Sequence, residues 1–180
     1  MAIKLHSVLA AQGKAAEASA LGKKWLAENP KDTAMLLYLG DRELGARNLK
    51  AAAAHYQAAL AIQPGSVVAL NNMAWIAGEL GDPKALGYAA RAARLAPNDA
   101  GVLDTYGMLL VKKGEFDKAL PILEQARKIA PTRNELRVNY ARALAAAGRK
   151  DDARKELEAL QGVKQDFPGK DEVAGLLKGL

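Results

Sequence analysis

Few residues in this chain have the chemistry for catalysis or metal binding. Its two histidines, His6 and His55, lie far apart in sequence, and neither belongs to a metal-ligand or nucleophile motif. Cysteine is absent, which excludes disulfides, thiolate zinc sites and cysteine nucleophiles. His55 precedes Tyr56 and reads as a surface or boundary histidine rather than a general base. No glycine cluster follows a strand to cradle phosphate. Catalytic residues, cofactor and metal site are therefore all read as none. What remains is recognition chemistry. Asn71 and Asn72 stand side by side in a helical pattern; asparagine costs helix propensity, so the pair invites a hydrogen-bonding role. Residues 127–155 carry nine Lys or Arg against three Asp or Glu, which equals the whole net charge of +6. Arg133, Arg137, Arg149, Lys150 and Arg154 form the basic patch, read either as a solvated face or as an attraction for an anionic polymer. Nucleic acid is disfavoured, because no aromatic ladder accompanies these charges for base stacking.

The elements that position these residues repeat. Pro30, Pro64, Pro97 and Pro131 fall 34, 33 and 34 residues apart, each closing the same apolar pattern. In the clearest unit Leu103, Tyr106, Gly107 and Leu110 keep helical spacing until Gly114 interrupts it. Phe116, Ala119, Leu120, Leu123, Ala126 and Ile129 then recur at steps of three and four until Pro131. Each unit is a helical hairpin, and a hairpin that cannot bury its own apolar face must stack on neighbours.

This order of residues resembles the tetratricopeptide repeat (TPR), whose period is about 34. Leu39, Gly40, Ala52, Tyr56, Ala59 and Pro64 fill its places one unit earlier; Met73, Ala74, Gly81, Ala85, Ala89, Ala92 and Pro97 fill them in the 33-residue unit. Tyr140, Ala141, Gly148 and Ala153 continue the series. In the first unit Leu5, Leu9, Gly13, Ala18 and Pro30 are in phase, but His6, Gly22 and Trp25 replace the usual small, aromatic and small residues, and the opening helix starts late. The resemblance implies an all-α fold: a right-handed α-solenoid of antiparallel helix pairs, one domain with hairpins at about 1–31, 32–65, 66–98, 99–132 and 133–162. A capping helix is expected at about 169–180, where Val173, Leu176, Leu177 and Leu180 share one face.

In this family the first helices line a concave groove. Carried onto this chain, the groove places give Leu37, Asp41 and Leu44; Asn71, Trp75 and Glu79; Asp104, Met108, Val111 and Lys112; and Val138 and Arg142. Such a mixed lining suits an extended or helical peptide. Trp75 is read either as an anchor or as a ring packed under neighbouring chain, and Met108 either as a contact or as a gap filler. The clamp that holds chaperone tails by their terminal carboxylate is not expected, since Gly101 and Thr105 offer no basic pair.

Residues 136–144 and 148–157 with Asp166-Phe167-Pro168 are also similar to the endings of bacterial TPR proteins that accompany exosortase (PEP-CTERM) sorting and exopolysaccharide systems. That likeness implies a cell-envelope or periplasmic setting and a longer parent array; the cytoplasm is the alternative. No membrane insertion of this segment is expected. Together these readings describe a non-catalytic scaffold for a peptide or protein partner, with a self-assembling structural module, or a binder of an anionic polymer through the last repeat, as alternatives.

Overall fold

The computed structural model describes residues 1–180, and its regular structure is entirely helical. The helices are α1 (Ala2–Ala11), α2 (Ala15–Glu28), α3 (Thr33–Gly45), α4 (Leu49–Ile62), α5 (Val67–Glu79), α6 (Ala85–Leu95), α7 (Ala100–Lys112), α8 (Phe116–Ile129), α9 (Asn134–Ala146), α10 (Lys150–Gln161) and α11 (Lys170–Gly179). No helix is long and apolar enough to cross a membrane.

Local chemistry sets the ends of these helices. Asp32 caps α3 by accepting from the Met35 amide at 3.0 Å, and Asp99 caps α7 by accepting from Gly101 and Val102 at 2.9 and 3.0 Å. Trp25 Nε1 also donates to Asp32, at 2.8 Å, and this bond with the cap amide holds the carboxyl below its ordinary pKa. Each hairpin turns through one residue in the left-handed region: Gly13, Arg47, Gly81, Gly114 and Gly148, with φ between 62° and 80°. Glycine reaches that region without a Cβ clash, whereas Arg47 pays on the order of 1 kcal/mol for it.

The chain divides into two compact units, Met1–Ile76 and Ala77–Leu180. In the first, α1 packs on α2 and α3, α2 on α3, and α3 on α4. In the second, each helix from α6 to α10 packs on the next, and α11 lies on α9 and α10. The residues 77–79 of α5 belong to this second unit, where Gly78 faces Leu109.

Close packing within hairpins rests on pairing a small residue of the first helix with a large one of the second. A Cβ on Gly40 would sit 2.7 Å from the ring of Tyr56, and one on Gly107 would sit 2.5 Å from Leu123. Both larger partners are buried. The first hairpin reverses this arrangement. Its first helix carries the ring, His6, and its second helix carries the gap, Gly22, whose absent side chain would point at the His6 ring from 3.5 Å. The opening helix is also short, at 10 residues against 13 in α3, α5, α7 and α9.

The C-terminal helix seals the second unit. Val173 joins Val138, Ala141, Leu157 and Leu160 in a buried cluster, with Phe167, Leu176, Leu177 and Leu180 packed around it. Lys150 Nζ donates to the Leu180 carbonyl at 3.2 Å and ties the end of α11 to the start of α10.

Candidate functional site

The first helices carry most of the polar side chains singled out in the sequence, and many of these bond one another. In the first unit, Asp41 is exposed on α3 and its Oδ1 accepts from the Tyr56 hydroxyl at 2.6 Å. Asn72 on α5 donates to that hydroxyl at 2.9 Å and to Asp41 Oδ1 at 3.2 Å. Burial and the neighbouring carboxylate raise the Tyr56 hydroxyl well above its ordinary pKa, so it stays a donor. Leu37 and Leu44 are half-buried. One residue before Asn72, Asn71 has a buried Oδ1 with no partner in the protein. Trp75, one turn further along α5, is 37% exposed. Asn71 and Trp75 therefore share a helix face, by their four-residue spacing.

In the second unit a polar line runs from α7 through α9 to α11. Asn139 donates to Asp104 Oδ2 at 2.8 Å, Arg142 Nη1 donates to Asn139 Oδ1 at 2.9 Å, and Arg142 Nη2 pairs with Glu172. The other oxygen of Asp104, Oδ1, is buried and has no partner in the protein. Burial pushes the Asp104 carboxyl up to about 6, against the lowering effects of the Asn139 bond and the Arg133 and Arg142 charges. An unsatisfied buried acceptor costs about 1–3 kcal/mol.

The other expected groove residues of this unit are committed to the fold to differing degrees. Met108 is half-buried and packs against the cluster of Leu123, Tyr140, Ala143, Leu144 and Ala153, with Val111 beside it. Lys112 Nζ donates to the carbonyl of Gly78 near the end of α5, where a cation complements the helix C-terminus. Glu79 is exposed, whereas Val138 is buried beneath α11.

The basic stretch is largely neutralised at short range. Glu156, one residue past it, sits 3.7 Å from Arg127 and 3.3 Å from Arg137. Arg133 pairs with Glu135 at 2.7 Å, Arg149 with Asp152 at 2.6 Å, and Lys128 with Glu124 at 2.6 Å. Arg127 also stands 5.5 Å over the Tyr140 ring. Arg154 is exposed and makes no ion pair. The sequence showed the positive balance, but fold-level pairing with Glu156 across helices carries no local signal.

The two histidines, assigned to different repeats, line one cleft of the first unit. His6 is 6% exposed, and its Nδ1 lies 2.9 Å from the Tyr38 hydroxyl with the rings edge to face. Burial, and then the Arg42 charge, lower its pKa.

Helical hairpins of this form, with small-to-large pairing and polar first helices, define a repeat class whose members present side chains to other molecules from a stacked framework. Two family models, both for the tetratricopeptide repeat, match residues 7–67 and 110–178, together the larger part of the chain. The chain belongs to the tetratricopeptide-repeat family. Solved structures agree on the fold. YrrB, described as a TPR protein with an unusual peptide-binding site, matches with a TM-score of 0.75 at 21% identity over 99% of this chain and 91% of its own. TTC0263, a thermophilic TPR protein from Thermus thermophilus, matches at 0.75 and 24% identity over 98% of this chain and 97% of its own. MamA matches at 0.76 and 19% identity over 92% and 96%. No curated protein sequence matches the chain. The expected all-helical TPR solenoid class is thus shown.

Proposed function

We propose that the chain is a non-catalytic scaffold that captures a peptide or protein segment on its first helices. The observation that carries this reading is the face of α5 on which Asn71, with its unmet buried acceptor, lies one turn from the half-open ring of Trp75. An indole supplies apolar contact area, and the partly exposed Asn71 amide adds hydrogen-bonding capacity beside it. Asp104 repeats the motif of an unmet acceptor in the second unit, and Leu37, Asp41, Met108, Lys112 and Arg142 extend the expected surface on their own helices. YrrB, of the same fold, has a peptide-binding site, which supports a peptide as ligand. The likeness of residues 136–168 to bacterial envelope-associated TPR proteins makes the cell envelope the compartment in which to seek the partner.

The test is capture from the native organism with wild-type and Trp75→Ala baits of matched helicity. Loss of specific partners by about tenfold or more with Trp75→Ala supports the reading; equal capture by both baits overturns it. Self-assembly is the second reading, favoured by the exposed Leu5 and Val8 on α1. Light scattering over a concentration series separates the two.

A further inference from the structure

The cleft in the first unit has a volume of about 330 Å³ and runs between α2, α3 and α4 with His6 of α1 against it. It exists because of a packing reversal. In the second and fourth hairpins the second helix fills the corresponding space with the buried Tyr56 or Leu123, and the first helix makes room with Gly40 or Gly107. In the first hairpin Gly22 contributes no side chain there, the His6 ring and Leu39 stand 3.5 Å from where its Cβ would be, and the cleft opens beside them. Departures that lose apolar packing and bury a polar group collect at functional sites.

The lining has a chemical bias. Lys23 and Arg42 both line the cleft and neither enters an ion pair. The one acid there, Glu43, accepts from Asn48 Nδ2 at 2.9 Å. The Tyr38 hydroxyl lies 2.9 Å from His6 Nδ1; in the tautomer whose Nδ1 accepts from that hydroxyl, Nε2 carries the ring proton and is a donor. His55 contributes a second imidazole from α4. Two cations without a counter-ion and two imidazoles around a small hollow match the oxygens of an anion.

We propose that this cleft is a binding site for a small anionic group, carboxylate or phosphate, held by Arg42, Lys23, His6 and His55. The proposal is independent of the partner surface on α5. Arg42 forms the bidentate contact, Lys23 adds charge at the rim, and the buried His6 ring supplies a directional donor at the wall. The ordinary alternative, an under-packed first repeat, predicts no preference for anions.

The test is an NMR titration of the histidine side chains of the whole chain with inorganic phosphate and, separately, with succinate. A response to phosphate alone assigns phosphate, and a response to succinate assigns carboxylate. Saturable shifts of the His6 and His55 resonances are expected with at least one. The groups facing His6 are Tyr38 and Arg42 from α3 and Lys23 from α2, with Glu43 and His55 further round the cleft. A bound anion offsets Arg42, so the His6 pKa, lowered in the free protein, is expected to climb back on saturation. Arg42→Gln alters an exposed residue and is expected to weaken binding about tenfold. The paired change His6→Gly with Gly22→Tyr restores the regular small-to-large order, fills the cleft and is expected to abolish binding. No saturable shift with either anion at millimolar concentration, or undiminished binding by Arg42→Gln, overturns the proposal.

Discussion

Replacing Gly40 with alanine tests the packing register most sharply, because the added methyl has one destination. Its Cβ would stand 2.7, 2.9 and 3.0 Å from three atoms of the Tyr56 ring, where carbon atoms prefer about 3.5–4.0 Å. The ring has to retreat by most of an ångström. It is fully buried, and its hydroxyl is tethered to Asp41 at 2.6 Å and Asn72 at 2.9 Å, so retreat strains those bonds as well. Overpacking costs about 1–3 kcal/mol and a weakened hydrogen bond about 1 kcal/mol, against a helix-propensity gain of about 1 kcal/mol from glycine to alanine. The net expectation is a loss of about 1–3 kcal/mol. Two companion changes have different outcomes. Gly78→Ala meets Leu109 at 2.5 Å, but at a terminal methyl of a half-buried side chain that can turn aside, so it should be near neutral. Gly87→Ala on exposed α6 meets nothing within 4 Å and should gain about 0.5–1 kcal/mol. Urea unfolding followed by far-UV circular dichroism should rank the midpoints Gly87→Ala, then wild type with Gly78→Ala, then Gly40→Ala. A Gly40→Ala midpoint at or above wild type refutes the small-to-large register.

Further outcomes follow from the turns and the buried charges. Arg47→Gly relieves the left-handed backbone of the second hairpin turn and should raise stability in urea by about 1 kcal/mol, whereas Gly114→Arg should lower it by a similar amount. Asp104 binds its proton more tightly folded, at about 6, than unfolded, at about 4, so its contribution falls as pH rises between those values. Asp104→Asn should gain about 2 kcal/mol relative to wild type between pH 4 and pH 7, and a pH-independent difference contradicts a buried carboxylate. Glu156→Gln frees Arg127 and Arg137, which should cost about 1 kcal/mol of stability and lengthen retention on heparin; unchanged retention means the pairing does not mask the basic stretch.

The repeat was legible because its signals are local. The prolines, the turn glycines and the apolar steps are each set within a few residues of chain, which is why they mark an all-helical repeat. The site was legible only as positions. Asp104, Asn139, Arg142 and Glu172 lie on three helices, so the bonds that join them depend on how repeats stack, which no window of sequence contains. The sequence likewise marked His6 and Gly22 as departures, one by one. That they compensate each other across a hairpin, and open a cleft that also reaches His55, appears only when α1 lies on α2. The pairing within the last repeat was hidden for a similar reason, since Glu156 falls just outside the stretch yet bridges two of its arginines.

The scaffold reading is tested most directly by footprinting a captured partner on the chain with hydroxyl radicals and mass spectrometry. Protection of Trp75, with neighbouring side chains of α3 or α5, is the predicted result. Protection confined to exposed second-helix residues such as Gln57 on α4 and Lys118 on α8, with Trp75 as reactive as in the free protein, would contradict it.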